Sequence, residues 1–191
     1  MTMHTKWIAH VCFGAALLAT TGATAGATTL LHMPLAKMSQ TAKVIVRARC
    51  VGNSTRWDAG EIWTFTTFDA EETWRGSPSA RFTVRLLGGR LGNLTSSVSG
   101  IPRFSAGEDV ILFLEPTRRG DFSVVGWEQG TFRVRRDPST GDASVTQDSA
   151  SFATFDPTTR QFEAEGIRRM PLSTFRERVA VLLKSGAGGD R

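Results

Sequence analysis

Three histidines and two cysteines, in a chain of 191 residues, are the groups that would have to carry nucleophilic or transition-metal chemistry. His4, His10 and Cys12 stand within the first dozen residues, which leaves His32 and Cys50 for all the rest. A Ser-His-Asp or Cys-His system needs an imidazole held beside its nucleophile, and His32 falls in a polar approach segment expected to face solvent. Zinc held by Cys and His needs three or four such ligands, more than one of each supplies. A calcium loop needs acidic ligands at alternate positions ending in Glu, and Asp137 to Asp142 reads as a turn instead. Paired carboxylates remain, at Glu71-Glu72 and Glu108-Asp109. Neighbours on a strand point to opposite faces, so neither pair shares a substrate. Glu72 lies on the same face as Phe68, Ala70 and Trp74 and is the group around which a carboxylate enzyme would be built. An ion pair with an arginine is the simpler expectation for it. The residues therefore point to a non-enzyme with no cofactor and no metal.

Arginine is the other chemical resource. Of 23 basic residues 19 are Arg, against 18 acidic ones, for a net charge of +5. Arg81, Arg85, Arg133 and Arg135 alternate outward on two expected strands. If those strands are neighbours they form a cationic sheet face for a polyanion, nucleic acid or polysaccharide. The face lacks interleaved aromatics, which disfavours nucleic acid, and the charge is spread along the chain. Two loops offer a different kind of contact. Asn53–Gly60 carries Arg56 and Trp57, and Gly88–Arg103 carries Arg90 and Arg103; loops on a rigid scaffold carry most recognition. Gly88-Gly89-Arg90-Leu91-Gly92 lacks the Lys-Ser/Thr and the helix of a phosphate loop and is expected to be a turn. Asn53-Ser54-Thr55 and Asn93-Leu94-Thr95 are glycosylation sequons in these loops.

The chain opens with one positive charge before an apolar run from Trp7 to Ala19, then small residues ending in Ala23-Thr24-Ala25. This is the pattern of a cleavable export signal, residues 1–25, cut before Gly26. The run is shorter than the ~20 residues that span a bilayer, and no later segment is long and apolar enough to do so. The expected location is secreted or periplasmic. Cleavage removes Lys6 and leaves 22 basic against 18 acidic side chains. A lone Cys50 forms no internal disulfide and is expected to be buried.

These groups are positioned by an expected β scaffold. After an approach segment, 26–41, with a helical turn around Leu35 to Gln40, period-two alternation marks strands at Lys43–Val51, Glu61–Thr73, Arg81–Leu87, Phe122–Val125 and Gly130–Arg136. The unbroken run Val110-Ile111-Leu112-Phe113-Leu114 predicts a strand covered on both faces, over Asp109–Leu114. No helices alternate with these strands, so the fold class is mainly β, a small antiparallel Greek-key barrel over 42–136. Residues 137–170 read as a long loop or a loose hairpin around Ala143 to Gln147. A C-terminal amphipathic helix follows over 171–185. Leu172, Phe175, Val179, Leu182 and Leu183 form its stripe, Thr174 with Glu177 a capping box, and Gly186 its stop. Residues 186–191 form a tail.

The order Val-x-Val-Arg-Ala-Arg (Val44 to Arg49), Glu-x-x-Trp-Arg-Gly (Glu71 to Gly76), Gly-Gly-x-x-Gly (Gly88 to Gly92), Gly-x-Pro-x-Phe-x-x-Gly-Glu-x-Val-x-Leu-Phe-Leu (Gly100 to Leu114) and Gly-x-x-Gln-Gly-x-Phe-x-Val (Gly126 to Val134) resembles a set of exported bacterial proteins of uncharacterised function. Their barrels are similar to the OB-fold of tissue inhibitors of metalloproteinases and netrin-like modules. The resemblance covers about residues 42–136 and implies a five- or six-stranded OB-like barrel. Those inhibitors present a mature N-terminal Cys to the protease zinc. Here Gly26 is the expected mature end, so the resemblance carries the fold and no inhibitory residue. The functional expectation is an exported binding domain for a protein partner, an exported protease among the candidates, with polyanion binding as the alternative.

Overall fold

The computed structural model describes residues 31–151, 153–163 and 166–187. The expected leader and its cleavage site lie outside the described residues, as do 188–191 of the tail. In chain order the elements are α1 (Leu35–Thr41), β1 (Val44–Asp58), β2 (Glu61–Arg75), β3 (Arg81–Leu87), β4 (Gly89–Leu91), β5 (Leu94–Ser96), β6 (Asp109–Pro116), β7 (Phe122–Val124), β8 (Thr131–Arg136), β9 (Ala143–Gln147), β10 (Thr154–Asp156), β11 (Gln161–Glu163), β12 (Met170–Pro171) and α2 (Leu172–Ala187). Short 3-10 turns occupy Trp127–Gly130 and Asp148–Ser151.

The main sheet runs β1-β2-β3-β7-β6-β8-β9-β12, and β1 also pairs with β6. That extra pairing closes five strands into a ring of order β1-β2-β3-β7-β6, the Greek-key connectivity of an OB-like barrel. One pairing in the ring, β3 with β7 at Val84 and Phe122, is parallel; the others are antiparallel. The fold is mainly β with a C-terminal helix, as the alternation predicts.

Alternation decides which core each residue enters. Val44, Val46, Ala48 and Cys50 point into the ring with Phe68, Phe82, Val84, Leu86, Val110, Leu112 and Leu114. Ile45, Ile111 and Phe113 point outward and join Phe132, Val134 and Val145 under α1 and α2. The run from Val110 to Leu114 is fully buried along its length because it has a core on each side. In the outer core the Phe175 ring packs at a tilt, 4.7 Å from Phe132 and 6.0 Å from Trp74 between centroids.

The Gly126–Val134 motif has a structural account. A Cβ on Gly130 would stand 2.0 Å from the Val125 carbonyl oxygen, so only glycine fits that turn. Buried Gln129 then holds the approach segment, accepting from the Met33 N–H at 2.7 Å and donating to the Leu31 carbonyl at 2.8 Å. Polar side chains buried this way are satisfied in full by backbone partners.

Three expectations are corrected. The Asn53–Gly60 loop is strand through Asp58, and only Ala59 and Gly60 turn, both at positive φ. The polar run reads as a loop, yet Asn53, Thr55 and Arg56 pair with Thr66, Thr64 and Trp63. Of the two readings of 137–170, the long loop gives way to strand structure where the loose hairpin is expected, though paired with β8 and not within the segment alone. The Ala143–Gln147 segment forms β9 and extends the sheet beside β8, β10 pairs with β11, and β12 pairs with β9. The helix starts at Leu172 and runs to Ala187, so Thr174 stands inside its first turn, not at the cap, and Gly186 lies within it.

Candidate functional site

β1 and β2 are each 15 residues long, and β1 pairs with β6 only from Val44 to Arg49. The rest of the β1–β2 hairpin projects past the ring closure. On its inner face Asn53, Thr55 and Trp57 alternate, opposite Thr66, Thr64 and Ile62. The Gly88–Arg103 segment folds back onto this face, with β4 and β5 forming a small hairpin of their own. Gly89 makes the approach feasible. Its φ is +140°, and a Cβ there would meet Thr64 Oγ1 at 2.3 Å and Thr55 Cγ2 at 2.9 Å.

Between the two segments lies a groove of about 220 Å³ lined by Thr55, Thr64, Arg90, Pro102, Arg103 and Phe104, among others. Its floor is a connected polar set. Thr66 Oγ1 donates to Asn53 Oδ1 at 2.6 Å, Asn53 Nδ2 to the Phe104 carbonyl at 2.7 Å, and Thr64 Oγ1 to the Gly88 carbonyl at 2.7 Å. Asn53, expected as a loop sequon, is thus a strand residue with its amide engaged. Among the described residues the Arg90 side chain has one polar contact, the carbonyl of Gly92 in its own turn, at 3.3 Å. The Arg103 side chain has no polar partner among the described residues. Trp57, 56% exposed, stands at the hairpin tip on the groove-side face, and Leu94, 57% exposed, at the tip of β4–β5.

Three of the four residues expected at the two recognition loops are therefore near this groove. Arg56 is not: as the strand neighbour of Trp57 it faces the other way and lies 3.7 Å over the Phe65 ring.

The four outward arginines do not form one face. β3 and β8 are separated by β7 and β6. Arg81 donates to both oxygens of Asp69, at 2.6 and 2.9 Å, and holds that carboxyl below the usual range. Arg85, 89% buried as a side chain, reaches Asp58 at 3.0 Å and lies 4.1 Å over the Trp63 ring. Asp58 also binds Arg119, the larger of the two influences that lower its own titration. Arg133 is taken by Asp148 and Glu108. Arg135 alone of the four has no polar side-chain partner among the described residues.

The groups weighed for catalysis are likewise engaged. Glu72 pairs with Arg176 at 2.5 Å, Glu71 with Arg49 at 2.8 Å, and Asp109 with Arg47 at 2.5 Å. Cys50 is buried, and burial pushes its thiol up, away from the nucleophilic thiolate. His32 Nδ1 lies 3.3 Å from Thr154 Oγ1. Among the described residues no three His, Cys, Asp or Glu side chains cluster to hold a metal, and no helix is long and apolar enough to cross a membrane.

No protein-family model matches the chain, and a search of the curated proteins finds no match.

Proposed function

We propose that the protein is an exported, non-enzymatic binding module that engages a protein partner through the groove between the β1–β2 hairpin and the Gly88–Phe104 segment. One observation carries this reading: two segments singled out separately in the sequence converge on one cleft whose arginines have no carboxylate. Guanidinium groups left this way suit an acidic side chain or a chain terminus of a partner, which they bind through paired, charge-assisted hydrogen bonds. Trp57 and Leu94 add exposed apolar anchors beside the polar cleft, the mixture found at interface centres. The engagement of Glu71, Glu72, Glu108 and Asp109 in ion pairs, and the burial of Cys50, favour binding over catalysis. An exported protease stays among the candidate partners on the strength of the fold resemblance.

Replacing Trp57 by a photo-crosslinking amino acid and illuminating in the exported fraction of the source cell tests the proposal. A single crosslinked protein is expected, displaced by excess unlabelled protein and not by the Arg90→Ala/Arg103→Ala variant. If no protein crosslinks, or if that variant competes as well as the unaltered chain with an unchanged Tm, the groove is not the contact surface.

A further inference from the structure

Arg135 is joined by arginines that sequence spacing does not connect to it. β9 brings Ser144 and Thr146 opposite Arg135 and Arg133, and β12 pairs with β9 through Met170↔Val145 and Pro171↔Ser144. This second pairing delivers Arg168 and Arg169 to the same side. Together with Arg136 they line a groove of about 1020 Å³ that also includes Thr146 and Ser151. We infer that this groove binds a linear anionic glycan, a sugar chain carrying carboxylate or sulfate groups, gripped by Arg135, Arg136, Arg168 and Arg169.

The charge is uncommitted. Arg135, Arg136 and Arg169 have no carboxylate partner among the described residues, and Arg168 donates only to the Ala150 carbonyl. The two acids that line the groove each have a partner of their own. Asp148 receives Arg133 at 2.7 and 2.8 Å, and Asp137 accepts from the N–H and hydroxyl of Ser139 within its own turn. Four exposed guanidinium groups against the one carboxylate of Asp137, with Asp148 already matched by Arg133, leave the groove net positive, which raises the local potential and calls for an anion.

The shape favours a chain over a single ion. Arg135 on β8 and Arg169 beside β12 are two strand spacings apart, roughly 10 Å, about the length of a disaccharide. Ser144 and Arg169 also line a neighbouring depression of about 700 Å³ at the start of α2, so the groove continues lengthwise. There Arg47 and Arg176 are balanced by Asp109 and Glu72, which leaves the anchoring charge in the first groove.

The lining chooses among polyanions. It contains no aromatic ring, so it offers no platform for stacking bases. Ser144, Thr146 and Ser151 instead line it with hydroxyls, which suit sugar hydroxyls. Arg169 is set for this role by its backbone. It sits at φ +47°, a region non-glycine residues seldom occupy, held there by its N–H donating to Thr146 Oγ1 at 3.2 Å.

Calorimetric titration of the purified protein with heparin, polygalacturonate, an oligo-dT of matched charge and neutral dextran tests the site. Heparin and polygalacturonate are expected to bind with an affinity that falls steeply as salt rises, and dextran not at all. Arg135→Gln/Arg169→Gln is expected to weaken both by roughly tenfold or more, the worth of one or two charge-assisted bonds, with Arg136→Gln/Arg168→Gln as a second pair should the first fail to fold. Arg90→Ala/Arg103→Ala is expected to leave glycan affinity unchanged, which keeps this groove's fate separate from the protein-binding cleft's. Absence of glycan binding at low salt overturns the inference. So does oligo-dT binding as tightly as the glycans, or equal weakening by the Arg90/Arg103 pair.

Discussion

Arg133 and Arg135 are two positions apart on one strand, on one face, and their roles are opposite. The Arg133 guanidinium donates to both Asp148 oxygens, to Glu108 and to the Arg103 carbonyl at 2.7 Å, and lies 4.9 Å over the Phe104 ring. It staples the Gly100–Glu108 segment to β8 and to the 3-10 turn at Asp148–Ser151. Removing it strands two carboxylates in a mostly buried setting, so Arg133→Met is expected to cost about 3 kcal/mol in urea denaturation. Arg135→Met is expected to stay within about 0.5 kcal/mol, as exposed substitutions do. A second single-residue expectation concerns pH. Glu128 is half-buried, and its burial, with Asp148 adding, raises its titration above the ordinary carboxyl value. A raised carboxyl binds its proton more tightly when folded, so stability from this group is lost as pH rises through the window above the ordinary value. Glu128→Gln is expected to raise Tm at neutral pH and to leave it nearly unchanged in acid below that window. A gain that is equal at both pH values would rule out titration as the cause.

At the scale of elements, α2 is fixed to the barrel by few side chains. Its mean pattern is only mildly amphipathic, and Phe175 and Val179 are its fully buried residues. Phe175 fills the space between Phe132 and Trp74, so Phe175→Ala is expected to cost about 3–4 kcal/mol. Trp74 fluorescence is expected to shift to the red as water reaches the indole. Strand positions were legible because a half-buried strand must alternate, and the continuous Val110–Leu114 run was legible because a doubly covered strand cannot. The far half of β1 carries no such signal. Its Asn53, Ser54 and Thr55 face a polar groove and solvent, so no apolar period is written there; Thr64 and Thr66, polar partners on β2, supply the pairing. The capping box failed for a different reason: Thr174 and Glu177 have the right spacing, but the chain already turns helical at Leu172, directly after β12.

For the molecule as a whole, both candidate sites share a history of partial legibility. The two segments of the first cleft are visible separately as loop-like, Gly-bearing stretches, while their meeting depends on Gly89 allowing backbone against Thr55 and Thr64. The arginine groove was half visible. Arg135 stood out by alternation, but Arg168 and Arg169 lie some thirty residues further on and arrive only through the β9–β12 pairing, which local sequence does not encode. Glu71, Glu72, Glu108 and Asp109 are engaged in ion pairs with arginines, and Cys50 is buried. One feature of the core bears on how such a protein changes over generations. Along Val44–Ala48 and Val110–Leu114 every residue but Arg47 is locked in a core, Ile45, Ile111 and Phe113 under the helices and the even positions inside the ring, so those positions tolerate no polar replacement. The exposed side chains that rim the two grooves, Trp57, Arg103, Arg135 and Arg136 among them, carry no such constraint. Drift is therefore channelled: descendants can exchange these rim side chains freely while a short apolar ladder, β1 against β6, persists as the trace by which they would still be recognised as kin.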